Sequence, residues 1–366
     1  MPRHPILLVQ YPSDEPLQSI ERRLSEHLKG LRRAMIQIEM DAFRAEDPSR
    51  PTGPKVDIII KLADADYRKI GRRAKRLAER REAASGLAHL RKEDRDRLAA
   101  LRDGVDLIRL PSEHRADEIA AELHAEYPWM APATEIVWHA LRQSVREGWP
   151  GVRLPPLLLD GPPGIGKSTW ARHLATALRV PPLVIEATTE NASFGVLGCQ
   201  RGWATAGPGR LLQLILQERV GNPIIVIDEL EKAGRVTGTN GGAYDLCGGL
   251  LPLLEPMTAS RWTCPYFQVP FDLGQVSWVM TVNDARHLPA PLMSRCPPIR
   301  LPHLTTRDLT GFARRQGARR RLSEVGIEVI VEAIEASADP AQPISLRTVM
   351  RMIARAETME SGPRRH

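Results

Sequence analysis

Cysteine is scarce in this chain: four in 366 residues, Cys199, Cys247, Cys264 and Cys296, with no C-x-x-C pair and no histidine close by. Too few and too scattered for a disulfide framework or a zinc site, they are expected to be reduced, structural thiols. Long apolar runs are also missing. No window approaches 18 uninterrupted apolar residues, and the opening MPRHPILLVQ is too short in its apolar part for a secretory leader, so no membrane span and a cytoplasmic location of bacterial type are expected. Internal repeats and low-complexity tracts are absent as well. An apolar content of 42% excludes a disordered chain, and the length allows two or three domains. The formal net charge of +7 leaves an acidic partner, nucleic acid included, open through the basic N-terminal region, but such a balance speaks to solubility and association and does not define function.

Four segments are distinguishable. Residues 1–115 alternate short apolar runs (PILLVQ, VDIIIKL, GVDLIRL) with charged, periodically apolar stretches, which reads as a small α/β unit with an exposed Arg-rich helix; the stretch from Asp66 to Gly104 reads equally as a helical hairpin. Residues 116–154 form a linker and a leading helix, marked by YPWMAPATE and GWPGVRLPP. Residues 155–302 follow a strand, loop, helix pattern, and residues 303–366 keep only helical periodicity, interrupted at ADPAQP.

The third segment carries the chemistry. LLLDGPPGIGKSTWARHLATAL starts as a buried strand, turns through glycines and opens a helix, the context in which G-x-x-x-x-G-K-[ST] signifies a phosphate-binding loop. Gly161, Gly164 and Gly166 let backbone N–H groups converge on phosphate oxygens, and the helix N-terminus adds its dipole. The remaining loop positions, Pro162, Pro163, Ile165 and Thr169, complete the cradle. Lys167 is suited to the β- and γ-phosphates, and the Ser168 hydroxyl to Mg²⁺. Sixty residues beyond Ser168, NPIIVIDELEK reads as a strand buried on both faces that ends in two carboxylates. Asp228 is placed to hold Mg²⁺ through water and Glu229 to polarise the attacking water. A third buried strand, VSWVMTVND, ends in Asn283, whose amide can contact a γ-phosphate or position that water.

From about Pro155 to Met359 these elements resemble, in order, the AAA+ ATPase module of the Lon protease family. The carriers are GPPGIGKS, IIVIDELEK, LLPLLEP, YFQVPFDLGQVSWVMTVND, LPAPLMSRCPPIRLP and SLRTVMRMI, where Lon modules read like LLEVLDP, VPFDLSKV with TAN, and IPGPLLDR. The resemblance implies a P-loop α/β fold with a doubly wound parallel sheet, followed by a small helical lid. It implies ATP and Mg²⁺ as cofactors and a homo-oligomeric ring, expected to be a hexamer. It further implies an arginine finger at Arg295, reaching a neighbour's γ-phosphate, and a sensor arginine of the lid at Arg347. In Lon modules a pore loop that grips polypeptide ends in Pro-Gly ahead of the acidic strand, which places Trp203 of QRGWATAGPGRLL at or near the gripping aromatic. Two departures stand out: Ala204 replaces a larger aliphatic residue, and the chain ends 19 residues after Arg347, leaving no room for the family's Ser–Lys peptidase. The expected protein is therefore a Mg-dependent ATPase that remodels a polypeptide substrate without a peptidase of its own. A nucleic-acid-associated AAA+ ATPase using the segment from Arg68 to Arg102, and a nucleotide-dependent scaffold, are the alternatives.

Overall fold

Helices, and among the described residues no strand, fill most of the N-terminal quarter. The structure, a computed structural model, describes residues 3–11, 15–45, 59–188, 193–201, 206–233, 236–237, 243–337 and 344–361. The chain divides into two compact units, Val9–Arg95 and the combination of Met1–Leu8 with Asp96–His366. In the first, helix α1 (Leu17–Ala45) packs along α2 (Asp64–Ala84), and α3 (Lys92–Ala99) begins at its end. Ile20, Ile70 and Ala74 are the buried positions of the α1–α2 pair, and two ion pairs tie it together: Arg32 to Asp66 at 2.8 Å and Arg81 to Glu15 at 2.9 Å. The run VDIIIKL forms no described strand; from Ile59 to Ala63 the backbone is irregular, and Ile59 is exposed.

The second unit is built on a sheet. After α4 (Glu113–Glu126) and α5 (Ala131–Arg146), β1 (Leu157–Asp160) leads into α6 (Lys167–Leu178) and β2 (Pro182–Glu186). Then follow α7 (Ser193–Leu197), α8 (Arg210–Glu218) and β3 (Ile224–Asp228). Two short antiparallel pairs, β4 (Val236–Thr237) with β5 (Ala243–Tyr244) and β6 (Trp262–Thr263) with β7 (Pro270–Phe271), flank α9 (Leu246–Leu254) and α10 (Pro256–Ala259). The chain returns to the sheet with β8 (Ser277–Val282), passes α11 (Ala290–Arg295) and adds β9 (Pro298–Arg300).

The sheet order is β2-β3-β8-β1-β9, parallel throughout. Every residue of β8 is buried, as are all but the last of β1 and β3, because helices cover both faces. Each such Leu, Ile or Val contributes about 1.5–3 kcal/mol by leaving water. Since the strands are parallel, Asp160, Asp228 and Asn283 all emerge at the same edge, with Asp160 opposite Val282 and Asp228 opposite Glu186.

Three further helices, α12 (Thr306–Arg319), α13 (Glu324–Ala336) and α14 (Leu346–Ser361), pack together as the expected lid. A capping box at Thr305 and Asp308 starts α12, and Ser323 caps α13 by accepting from the Gly326 N–H. Gly317 allows α12 and α13 to touch: a Cβ there would sit 2.7 Å from Ile327 Cγ1. The buried carboxylate of Glu126, at the end of α4, holds this lid by accepting from both terminal nitrogens of Arg319 at 2.8 and 2.7 Å and from Gln316 at 2.7 Å.

Candidate functional site

The loop from Gly161 to Gly166 turns the chain from β1 into α6, and its shape depends on glycine at two places. Gly164 and Gly166 have φ of 78° and 90°, the left-handed region that other residues enter at a cost. Gly166 is the N-cap of α6 and gives no side-chain cap, which leaves the first N–H groups of the helix free for an anion. Pins hold the loop from two sides. The Trp129 indole N–H donates to the Ile165 carbonyl at 2.8 Å, and the Leu346 N–H, opening α14, donates to the Gly164 carbonyl at 3.1 Å. YPWM and the lid are thereby both wired to the loop.

Lys167 is 7% exposed. Its ammonium donates to the carbonyls of Gly161 at 2.5 Å and Pro162 at 3.0 Å and to Asn283 Oδ1 at 3.2 Å. Burial pulls its pKa below the usual lysine value, against the opposing influence of Glu231, Asp228, Asp160 and Glu229. The next residue, Ser168, donates its hydroxyl to Asp228 Oδ1 at 2.7 Å, and Thr281 donates to the same oxygen at 2.5 Å. Thr281 Oγ1 in turn accepts the Glu229 N–H at 3.1 Å. Glu229 itself sits in the left-handed region with φ of 55°, and its carboxylate pairs with Lys232 Nζ at 2.8 Å. Asn283 donates both its backbone N–H, at 3.1 Å, and its side-chain N–H, at 2.9 Å, to Glu231 Oε1, which aims its amide oxygen at Lys167.

These groups face a cleft of about 780 Å³ whose lining includes Pro163, Gly164, Gly166, Lys167, Ser168, Thr169, Asp228, Glu229, Asn283 and Arg347. Gly161 contributes a carbonyl to Lys167 from beneath, as does Pro162, and Ile165 is buried under the loop. Arg295 does not line the cleft. It pairs with Glu255 at 2.6 Å and donates to the Pro291 carbonyl within its own helix. Trp203 lies outside the described residues.

Thr281 and Glu231 escaped the sequence reading although both had signals. Thr281 lies two residues before Asn283 on the same strand face, and Glu231 is the third acid of the DELE run. Tyr127, Glu126 and Phe312 also line the cleft, drawn there by the lid contacts. All four cysteines are buried and free, and burial pushes the thiols of Cys264 and Cys296 up to about 11 and about 12. No helix among the described residues is long and apolar enough to cross a membrane.

Residues 157–302 match the family described as "ATPase family associated with various cellular activities (AAA)". Lon protease 2 of Thermus thermophilus is 33% identical over 183 residues, which are 49% of this chain and 22% of that protein. Lon protease of Lawsonia intracellularis is 33% identical over 185 residues, 50% of this chain and 22% of that protein. A longer match, 31% over 250 residues, joins 68% of this chain to 29% of the Lon protease of Dictyoglomus thermophilum. The stretch shared with the first two is about a fifth of their length.

Proposed function

We propose, from the premise that residues 157–302 are an AAA-family module similar to that of Lon proteases, that the protein binds and hydrolyses ATP as a Mg²⁺-dependent, ring-forming remodeller of polypeptides. The observation that carries this reading is the convergence of Lys167, Ser168, Asp228 and Asn283, contributed by a loop, a helix start and two strand ends, in one cleft.

In this reading the Lys167 ammonium leaves the loop carbonyls and Asn283 and turns to the β- and γ-phosphates, while the free N–H groups at the start of α6 bind phosphate oxygens. Ser168 and Asp228 present two hard oxygens 2.7 Å apart, a donor set that fits Mg²⁺, and these residues would hold it. Bound there, the cation supplies positive charge against the polyphosphate. Glu229 serves as the base that polarises the attacking water, once its carboxylate parts from Lys232. Asn283, its amide fixed by Glu231, orients that water. Arg347 reads the nucleotide from the lid side of the cleft.

Arg295, which does not line the cleft of its own chain, is assigned to the site of a neighbouring subunit. Its guanidinium would complete the neighbour's site, as arginine fingers do. Trp203 is assigned to gripping polypeptide in the channel, a large flat apolar face being able to hold any side chain without reading sequence. The test is complementation. Arg295→Ala and Lys167→Ala proteins should each be inactive, and their mixture should regain ATPase activity at the seams that join an intact arginine to an intact loop. A mixture that co-assembles yet stays inactive would overturn action across the seam.

A further inference from the structure

Helices α1 and α2 of the first unit bound a groove of about 570 Å³ that shares no lining residue with the cleft. Leu24 and Leu28 of α1 and Ile70 of α2 form its floor. One rim is cationic: Lys69, Arg72, Arg73 and Arg76 stand at i, i+3, i+4 and i+7 on α2, all exposed. Arg73 and Arg76 have no hydrogen-bond or ion-pair partner among the described residues, whereas Arg32 beside them is already paired with Asp66. The other rim is apolar. Leu31 lines it, and the apolar row runs on along α1 beyond the groove's lining with Met35 and Ile38 at i+4 and i+7, Ile38 being 68% exposed. Such a groove suits a helix with one acidic and one apolar edge. A phosphate backbone would satisfy the cations and leave the apolar rim in water.

This chain carries a helix of that description. On α13 the exposed arc holds Glu328, Glu332 and Glu335 at i, i+4 and i+7, and beside them Val325 and Val329 one turn apart. Val325 is 73% exposed. Glu328 is paired with Arg314 at 2.8 Å, but Glu332 and Glu335 have no partner among the described residues, and α13 contains no basic residue. The acidic row of α13 and the cationic row of α2 each span seven residue steps, about 10 Å at the helical rise. Every copy of the chain bears both faces, which is what a head-to-tail contact between copies requires.

We infer that the α1–α2 groove of one copy receives α13 of a second copy, with Glu332 and Glu335 against Arg73 and Arg76 and the two valines against the apolar rim of α1. The contact needs no nucleotide and does not rest on the role given to Arg295. Two charge-reversed proteins test it, Arg73→Glu/Arg76→Glu and Glu332→Arg/Glu335→Arg, with circular dichroism melts to verify that each is folded. The positions are exposed and outside the cleft. Mass would be followed against protein concentration by light scattering without nucleotide. Each variant alone should need about tenfold more protein, or beyond, to self-associate, because like charges then face each other. An equimolar mixture should return to the parental curve, since every mixed contact pairs opposite charges. Parental association by either variant alone would overturn the inference. So would a mixture that stays dissociated. Loss of duplex DNA binding by Arg73→Glu/Arg76→Glu with unchanged self-association would overturn it in favour of a phosphate-backbone surface.

Discussion

Replacing Thr281 by valine removes one hydroxyl from the interior and leaves the shape of the side chain. Thr281 is 1% exposed, donates to Asp228 and accepts the Glu229 N–H, so its hydroxyl bridges the Asp228 carboxylate and the Glu229 backbone. Without it the Glu229 N–H loses its acceptor, at a cost of about 1–3 kcal/mol, and Asp228 keeps only the Ser168 hydroxyl of its two donors, a loss of about 1 kcal/mol. A left-handed backbone costs a non-glycine residue about 1–2 kcal/mol, and the Thr281 bond is one of the contacts that hold Glu229 there. Urea unfolding should therefore show a stability loss of about 2–4 kcal/mol at unchanged m. Hydrolysis in a single turnover should fall by about two orders of magnitude, as a misplaced base is worth that much, while nucleotide affinity changes little. Thr281→Ser, which retains the hydroxyl, should recover most of both. Parental stability and turnover in Thr281→Val would refute the reasoning.

Lys232→Ala should leave ATP hydrolysis at or above the parental rate, because the ion pair with Glu229 must open before that carboxylate acts; a steady-state rate well below parental would show Lys232 to be needed in place. Glu126→Leu should lower stability in urea by about 1–3 kcal/mol, less than a fully buried pair because Arg319 is largely open to water, and should weaken nucleotide binding through the lid. Cys264 and Cys296 should resist iodoacetamide at pH 8 in the folded protein and react on unfolding, as thiols held near 11 and 12 carry almost no thiolate there. Their folded values lie above the ordinary 9.0, so their contribution to stability is intact below pH 9 and is lost as the pH rises towards the folded values. Trp203→Ala should preserve assembly and basal hydrolysis and abolish stimulation by an unfolded protein, read in one ATPase assay with and without that substrate.

Strands β1, β3 and β8 were legible because a strand buried on both faces must be a continuous apolar run, and LLLD, IIVID and SWVMTV have no other economical reading. Strands β2 and β9 were not. PLVIE and PIR begin with proline and are only partly buried, so their pattern does not separate them from loop. The apolar VDIIIKL misled in the opposite direction: its described part, residues 59–62, forms no strand, as apolar content without a neighbouring strand to pair with does not suffice. In the cleft, Lys167, Ser168, Asp228, Glu229 and Asn283 were picked out by residue type and order, and Arg347 by the family resemblance alone. Glu231 and Thr281 had signals only in the DELE run and the strand face; their contacts join the ends of β3 and β8 and the residues just beyond, and exist only once those strands lie side by side. The pairing of Arg295 with Glu255 joins residues forty apart and has no sequence signature.

The central claim, that this cleft turns over MgATP with Glu229 as its base, is tested most directly by comparing parent, Glu229→Gln and Lys167→Ala for nucleotide binding and for phosphate release, each with Mg²⁺ and with chelator. The account predicts that Glu229→Gln binds MgATP like the parent and releases phosphate slower by orders of magnitude, that Lys167→Ala does not bind, and that chelation stops parental turnover. Phosphate release by Glu229→Gln at the parental rate would contradict it.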